Sequence, residues 1–301
     1  MDRREFLGAA GALGAAVLAP AGTVAQPRMP TRPIPSTGES LPVIGLGSSK
    51  VVEQIAVKGE APVAAVLHAL LDQGGKVVDT WPRDADNDAG FGRVINAPDL
   101  AGRLFVTTKI DRPGREAGIE QFRETQRLYG RNRFDLVQIF NLTDLETHWP
   151  TLKALKAEGE ARYIGVTVSR YELYDRLLRF LERETPDFAQ VNYSITERLA
   201  EERVLPVLRD RGIAAVVNRP FMNGRYFEAL EGRALPPWAV EAGCESWAQF
   251  SLKYILGNSD VTCVLTETTN PEHMAENARA SFGEPADAET RRRMRELIDA
   301  V

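Results

Sequence analysis

The chain has 301 residues, a formal net charge of −5 and a charged fraction of 26%. This mildly acidic balance argues against nucleic acid as a partner, because proteins that bind phosphate backbones carry basic patches. The length suits one large domain together with a short leader.

The N-terminal segment has the pattern of a secretory signal. A charged start with the Arg3-Arg4 pair precedes a short apolar stretch and a small-residue site that ends at Ala25. Paired arginines fit the twin-arginine signal of bacteria. An uncleaved anchor is the alternative, although the apolar stretch is short for a membrane span. We expect residues 1–25 to be a twin-arginine signal peptide read by the export machinery, and residues 26–301 to be a periplasmic domain without a stable membrane anchor.

Eight short apolar segments rich in Val and Ile recur along the rest of the chain, with helical periodicity between them. Strands of this composition are covered on both faces, as in parallel sheets flanked by helices. The pattern predicts an α/β fold, a (β/α)8 TIM barrel with eight parallel strands, in one domain. The predicted strands are Val43–Leu46, Lys76–Asp79, Leu104–Lys109, Leu136–Phe140, Tyr163–Thr167, Phe188–Asn192, Ala214–Asn218 and Val261–Leu265.

The segments around these strands also have predicted roles. Residues 26–42 are rich in Pro and are expected to form a hairpin or strap across the barrel floor. The interval 220–246 is long, which predicts a loop over the mouth. Helical periodicity marks residues 62–71, 120–128, 146–157, 173–181 and 201–208, and two further helices, about 271–281 and 288–300, are expected after the last strand.

Polar residues close two of the predicted strands. Asp79 ends Val77-Val78-Asp79, and Lys109 ends Phe105-Val106-Thr107-Thr108-Lys109. In a parallel barrel the carboxyl ends of the strands meet at one mouth, where active sites lie. Asp79 and Lys109 are therefore candidate catalytic residues.

Seven segments, taken in order, resemble the aldo/keto reductases from about Ile34 to Gly283. The resemblance implies a barrel that binds NADP(H) or NAD(H) and reduces carbonyl compounds. In that family a Tyr donates a proton to the carbonyl oxygen, a Lys paired with an Asp lowers the pKa of the Tyr, and a His orients the carbonyl. The segments are Pro42–Gly47, Lys76–Thr80, Val106–Lys109, Asp135–Ile139, Tyr163–Thr167, Gln190–Ser194 and Asn270–Asn277.

Two members of that catalytic set are replaced in this chain. Asp84 stands in the Tyr position and Phe140 in the His position. A carboxyl with a pKa of about 3.9 is a poor proton donor at neutral pH. Asp84 is expected to be solvated or to form a second salt bridge with Lys109, with a proton shared with Asp79 as the third alternative. Phe140 offers an apolar wall, because its ring makes no conventional hydrogen bonds.

The resemblance also implies a cofactor site. Glu267 stands where the family commonly has a Lys. Its carboxylate is expected to repel the 2′-phosphate of NADPH, which predicts weak selectivity for NADPH over NADH. Arg219 could meet a pyrophosphate or form a surface salt bridge. No metal site is expected. The expected cofactor-binding residues are Thr167, Gln190, Asn218, Arg219, Thr268, His273, Glu276 and Asn277.

Several residues leave two interpretations open. Cys244 and Cys263 could form a disulfide in an oxidising compartment, but Cys263 lies in an apolar run, so buried thiols are expected. Trp81 and Trp149 could line a pocket or pack under loops. His148 is placed in a loop after the fourth strand, either solvated or turned toward the mouth.

Three functions are compatible with this pattern. The first is a diverged NAD(P)(H)-dependent oxidoreductase that acts on a carbonyl compound. The alternative is a catalytically inactive periplasmic binding protein that uses the same barrel to hold a small ligand. A lyase that forms a Schiff base on Lys109 is the least favoured, because pairing with Asp79 keeps the amine protonated.

Overall fold

The computed structural model describes residues 28–301. Eight parallel strands form a closed barrel, because the last barrel strand pairs with both the first and the seventh. The predicted (β/α)8 barrel is confirmed. The strands are β1 (Thr31–Pro33), β2 (Ser40–Pro42), β3 (Ile44–Gly47), β4 (Val77–Asp79), β5 (Phe105–Ile110), β6 (Phe134–Phe140), β7 (Ala161–Thr167), β8 (Phe188–Asn192), β9 (Ala214–Asn218) and β10 (Cys263–Glu267). The predicted signal peptide and its cleavage near Ala25 lie outside the described residues.

A hairpin closes one end of the barrel. Strands β1 and β2 pair antiparallel, as predicted for residues 26–42. Ile34 and Leu41 are buried in one apolar cluster with the first inward-facing residues of the barrel strands, such as Val77, Phe105 and Leu136. Because side chains alternate along a strand, Asp79 and Lys109 point inward farther along the same strands. The barrel interior is therefore apolar at its floor and polar at its mouth.

Helices surround the barrel in the expected alternation. One predicted helix, 201–208, is instead two short helices, because Pro206 lacks the N–H that a continuous helix would need there. Two short 3-10 helices cover Tyr171–Leu173 and Met222–Gly224. The α-helices are α1 (Ser49–Val52), α2 (Ile55–Lys58), α3 (Ala61–Asp72), α4 (Ala85–Ile95), α5 (Arg115–Tyr129), α6 (Leu145–Ala157), α7 (Tyr174–Arg183), α8 (Leu199–Arg203), α9 (Leu205–Asp210), α10 (Arg225–Ala229), α11 (Pro237–Glu241), α12 (Trp247–Leu256), α13 (Pro271–Arg279) and α14 (Ala288–Asp299).

The expectation that His148 lies in a loop is wrong. It lies in α6 and is fully buried, and its Nε2 is 2.8 Å from the carbonyl oxygen of Arg112. The helical periodicity of residues 146–157 already includes position 148, and the helix begins at Leu145 in the structure. His148 is neither solvated nor part of the barrel mouth.

Cys244 and Cys263 are both buried free thiols. Burial raises the pKa of Cys244 to about 11 and raises that of Cys263 still further. The buried thiols expected from the sequence are therefore present.

Within residues 28–301, no helix combines the length and apolar character that crossing a bilayer requires.

Candidate active site

A cavity of about 660 Å³ opens at the carboxyl ends of the barrel strands. It is lined by residues at or next to the carboxyl ends of β3, β4, β5 and β6, namely Gly47, Asp79, Lys109 and Phe140. The long segment after β9 covers one side through Phe221 and its neighbours, as predicted for residues 220–246. The cavity brings together most of the polar strand ends that the sequence singled out.

Asp79 and Lys109 form an ion pair inside this cavity. The Nζ of Lys109 donates to Oδ2 of Asp79 at 2.6 Å and to the carbonyl oxygen of Thr80 at 2.8 Å. Oδ1 of Asp79 accepts a hydrogen bond of 2.6 Å from the Thr107 hydroxyl. Burial lowers the pKa of Lys109, and the Asp79 carboxylate opposes this effect. Paired in this way, Lys109 is held as a cation with a fixed direction.

Asp84 lies outside the cavity lining. It is exposed and caps the N-terminus of α4, where its Oδ1 accepts from the Asn87 backbone N–H at 3.1 Å and its Oδ2 from the Asn87 side chain at 2.7 Å. These hydrogen bonds lower the pKa of Asp84. The expected salt bridge to Lys109 and the shared proton with Asp79 are both wrong, because the carboxylate is used to satisfy a helix end. Asp84 is solvated, the first of the three alternatives.

Phe140 forms the apolar wall predicted for it. Its ring stacks on Trp81 with centroids 5.1 Å apart and an interplanar angle of 21°. Both rings line the cavity. Trp149, on α6, instead packs edge-on against Phe180 of α7 and is buried between these two helices. Of the two candidate tryptophans, Trp81 alone lines the cavity.

Sequence reasoning missed Arg83, a cavity residue beside Lys109. Its side chain is 13% exposed and forms a salt bridge with Glu53. The backbone N–H of Arg83 donates to Oδ2 of Asp88 at 2.9 Å. The available signal was its place one residue before Asp84, where this chain departs from the family's catalytic set, because an altered catalytic position directs attention to its neighbours.

Four expected cofactor-binding residues line the cavity on its other side: Thr167, Gln190, Asn218 and Arg219. Two amide oxygens there, Oε1 of Gln190 and Oδ1 of Asn218, are buried and have no hydrogen-bond partner among residues 28–301. Buried acceptors without partners are rare, and they mark places where a ligand donor fits. The Nη1 of Arg219 donates to the carbonyl oxygen of Ser169 at 2.6 Å.

The remaining expected cofactor residues are grouped after β10, outside the cavity lining. The Thr268 hydroxyl accepts from the Asn270 backbone N–H at 3.1 Å. Helix α13 then carries an exposed His273, a half-buried Glu276 and a buried Asn277. These positions stay predictions for the adenosine end of a cofactor.

Glu267 stands where β10 ends, at the cavity rim. Its Oε1 accepts from the Lys50 backbone N–H at 3.1 Å, and its Oε2 is 3.9 Å from the Lys50 Nζ.

Within the part of the chain that the structure describes, no three His, Cys, Asp or Glu side chains are grouped closely enough to hold a metal ion. The polar groups of the cavity are one buried ion pair, further cationic side chains, amides, hydroxyls and the rim carboxylates of Glu53 and Glu267.

Comparison with known proteins agrees with this geometry. The model of the Aldo/keto reductase family matches residues 43–299. The NADH-specific methylglyoxal reductase of Escherichia coli (strain K12) is 29% identical over 175 residues, which are 50% of this chain and 52% of that protein. An aldo-keto reductase of Mycobacterium sp. (strain MCS) is 27% identical over 265 residues, covering 84% of this chain and 86% of the relative.

The fold has solved counterparts. The crystal structure of an aldo-keto reductase from Klebsiella pneumoniae in complex with NADPH superposes with a TM-score of 0.71, at 22% identity, and covers 87% of this chain and 92% of the other. The chain spans about half the length of the Escherichia coli relative and most of the Mycobacterium and Klebsiella proteins. The match to the family covers nearly the whole barrel, and the chain therefore belongs to the aldo/keto reductase family.

Proposed function

We propose that the protein is an NAD(P)(H)-dependent oxidoreductase that acts on a carbonyl compound with an altered proton-donating apparatus. One observation carries this proposal: the Asp79–Lys109 ion pair lies in the same cavity as the unpartnered amide oxygens of Gln190 and Asn218. A nicotinamide carboxamide carries an NH2 donor that those oxygens can accept. The cavity thus has a place for a nicotinamide beside a fixed cation.

The residues of this chain fit a nicotinamide cofactor in two parts. Thr167, Gln190 and Asn218 would hold the nicotinamide, with Arg219 toward a phosphate. Thr268, His273, Glu276 and Asn277 would contact the adenosine end. The bound cofactor supplies or accepts hydride. Relatives with NADPH in their structure or NADH specificity in their name support a cofactor of this class.

The proton side of the reaction is where this chain departs from its family. Asp84 caps α4 and is ionised at neutral pH, and Phe140 can neither donate nor accept a proton. Lys109 has three N–H donors, of which Asp79 and Thr80 accept two. The third is left for a carbonyl oxygen, so Lys109 is the donor closest to the chemistry. Slow turnover relative to a reductase with the full catalytic set follows from this arrangement.

A second candidate is a binding protein without catalysis. The stacked rings of Trp81 and Phe140 favour it, because they give the cavity an apolar wall where the family carries a His. Such a protein would hold a small ligand in the mouth and would need no nicotinamide. The two candidates differ in whether cofactor binding accompanies ligand binding.

Titration with NADPH and NADH tests the oxidoreductase proposal. Purified residues 26–301 are titrated while tryptophan fluorescence is followed, and heats of binding are measured in parallel. Micromolar binding of either cofactor is expected, and Gln190→Leu should weaken it by about tenfold through the lost hydrogen bond. Gln126→Leu on α5, outside the cavity, is the matched control and should leave binding unchanged. No binding of either cofactor at millimolar concentration would leave the binding-protein candidate.

Export is part of the same proposal. Paired arginines and the small-residue site support a twin-arginine signal in residues 1–25 and a periplasmic location. Fractionation of cells that express the whole chain tests it, with Arg3→Lys and Arg4→Lys combined as the variant. We expect the parent in the periplasm, shortened near Ala25, and the variant uncleaved in the cytoplasm. Equal distribution of both would contradict the proposal.

A further inference from the structure

A second cation lines the cavity beside Lys109. Arg83 lies in the connection between β4 and α4, and its side chain is 13% exposed. Arg83 and Lys109 line the same cavity. One small ligand can therefore meet both cations.

The surroundings of Arg83 fix its position. Its Cζ lies 5.1 Å from the centroid of the Trp81 ring, and that ring stacks on Phe140. The Trp81 Nε1–H donates to Oδ2 of Asp111 at 2.7 Å, which holds the indole in place. Asp88 accepts from the Arg83 backbone N–H. The guanidinium is thus presented by an ordered loop, which reduces the entropy cost of binding a ligand.

Arg83 has hydrogen-bonding capacity that the protein does not use. A guanidinium carries five N–H donors. Among the residues that the structure describes, the one acceptor for Arg83 is the Glu53 carboxylate, which meets Nη1. The Glu53 side chain is 51% exposed at the cavity rim. Because only Nη1 is used within residues 28–301, the other N–H donors of Arg83 remain for an anion in the cavity. Guanidinium groups bind carboxylates most strongly through two parallel hydrogen bonds.

We propose that the site binds carbonyl compounds with a carboxylate next to the carbonyl, the 2-oxo acids, and that Arg83 binds the carboxylate. The third N–H of Lys109 binds the carbonyl oxygen, while Trp81 and Phe140 contact an apolar or aryl substituent. This inference rests on the proposed function, because it names the substrate class of the same cavity. Arg83 is then the residue that selects acids over neutral carbonyl compounds.

Benzoylformate and its methyl ester test this selection, since the ester lacks the carboxylate charge and adds only one methyl group. Binding is followed by tryptophan fluorescence and calorimetry, without cofactor and with NADPH. Benzoylformate should bind at least about tenfold more tightly than the ester. Arg83→Gln should weaken benzoylformate binding by about ten- to a hundredfold and leave the ester unchanged. Arg83→Lys should keep part of the preference, because an ammonium lacks the bidentate fork.

Two further variants make the test independent of folding defects. Arg93→Gln removes another Arg–Glu pair, with Glu60, on the exposed face of α4, and should change nothing. Glu53→Gln removes the competing carboxylate and should tighten benzoylformate binding severalfold. Equal affinity for acid and ester, full binding by Arg83→Gln, or no gain in Glu53→Gln would each overturn the inference.

The cofactor titration keeps this inference separate from the proposed function. Tight NADPH binding without a preference for benzoylformate overturns the substrate class and leaves the oxidoreductase proposal intact. A carboxylate preference that depends on Arg83, in a protein that binds no nicotinamide, supports the Arg83 site as a ligand site and removes the proposed function.

Discussion

The Nζ of Lys109 lies 2.6 Å from Oδ2 of Asp79 at the mouth of the barrel, with the two side chains 4% and 12% exposed. Such a pair is costly to bury but more costly to break, because the remaining charge has no partner. The ion pair therefore makes separate predictions for single and double variants.

Asp79→Asn and Lys109→Met should each lower the free energy of unfolding by about 3 kcal/mol. The double variant should lose less than the sum of the two, since it leaves no unpaired charge. Urea unfolding at pH 7 measures all three. Lys153→Met, which removes a pair with Glu184 at the surface, is the control and should cost less than about 1 kcal/mol. Additive losses would show that the ion pair has no energetic coupling.

Asp88 predicts a pH dependence of stability. Burial raises the pKa of its carboxyl to about 6, whereas an unfolded Asp titrates near 3.9. The folded state therefore holds the proton more tightly, and this residue's contribution to stability falls as pH rises from about 4 to about 6 and is constant above. The free energy of unfolding of Asp88→Asn should rise relative to that of the parent by about 2 kcal/mol as pH increases over that interval.

Urea unfolding between pH 4 and pH 7 measures this difference. Asp86→Asn, an exposed carboxylate in the same first turn of α4, is the matched control and should run parallel to the parent. A constant difference between Asp88→Asn and the parent at every pH would contradict the raised pKa.

The altered catalytic positions predict a gain of function. Asp84→Tyr combined with Phe140→His should raise carbonyl reduction above the parent, because it restores a hydroxyl and an imidazole at the family's positions. The change also removes the N-cap of α4 and should cost about 1 kcal/mol of stability. Steady-state NADPH oxidation with methylglyoxal measures the gain. Asp84→Phe combined with Phe140→His is the control, because it adds the aromatic ring at position 84 without the hydroxyl. No gain would shift attention to Asn218 and Glu267 in the expected cofactor site.

Much of this architecture could be predicted from the sequence. Apolar strands that end in Asp79 and Lys109 identified the barrel and its mouth, because strand ends in a parallel barrel converge whatever the loops do. Strand limits shifted by about two residues: the last predicted strand, Val261–Leu265, is Cys263–Glu267. Hydrogen bonding sets these limits, and the apolar pattern records burial alone.

Side-chain positions in the connections were less predictable. The sequence allows Asp84 as a partner of Lys109, but in the structure its side chain turns to the helix end and accepts a hydrogen bond from the Asn87 backbone N–H. Arg83 could be suspected only from its place next to the altered position 84, since composition alone does not distinguish a cavity arginine from a surface one. Both outcomes depend on where the chain turns after β4, which spacing alone does not determine.

The negative charge of Glu267 makes a prediction about cofactor preference. Its carboxylate at the cavity rim should repel the 2′-phosphate of NADPH. Glu267→Gln should raise the affinity for NADPH severalfold and leave that for NADH nearly unchanged. Glu124→Gln, an exposed carboxylate on α5, is the control. Calorimetric titrations at two salt concentrations measure the effect, which should shrink at high salt. An equal change for both cofactors would place Glu267 away from the phosphate.

Hydride transfer tests the central claim most directly. NADPH deuterated at C4 of the nicotinamide is mixed with residues 26–301 and a carbonyl compound, either methylglyoxal or benzoylformate, and the products are analysed by mass spectrometry. The oxidoreductase account predicts an alcohol that carries one deuterium, formed faster with the parent than with Lys109→Met. The contradicting result would be a protein that binds NADPH but yields no more deuterated product than the protein-free control. That result would identify a binding protein.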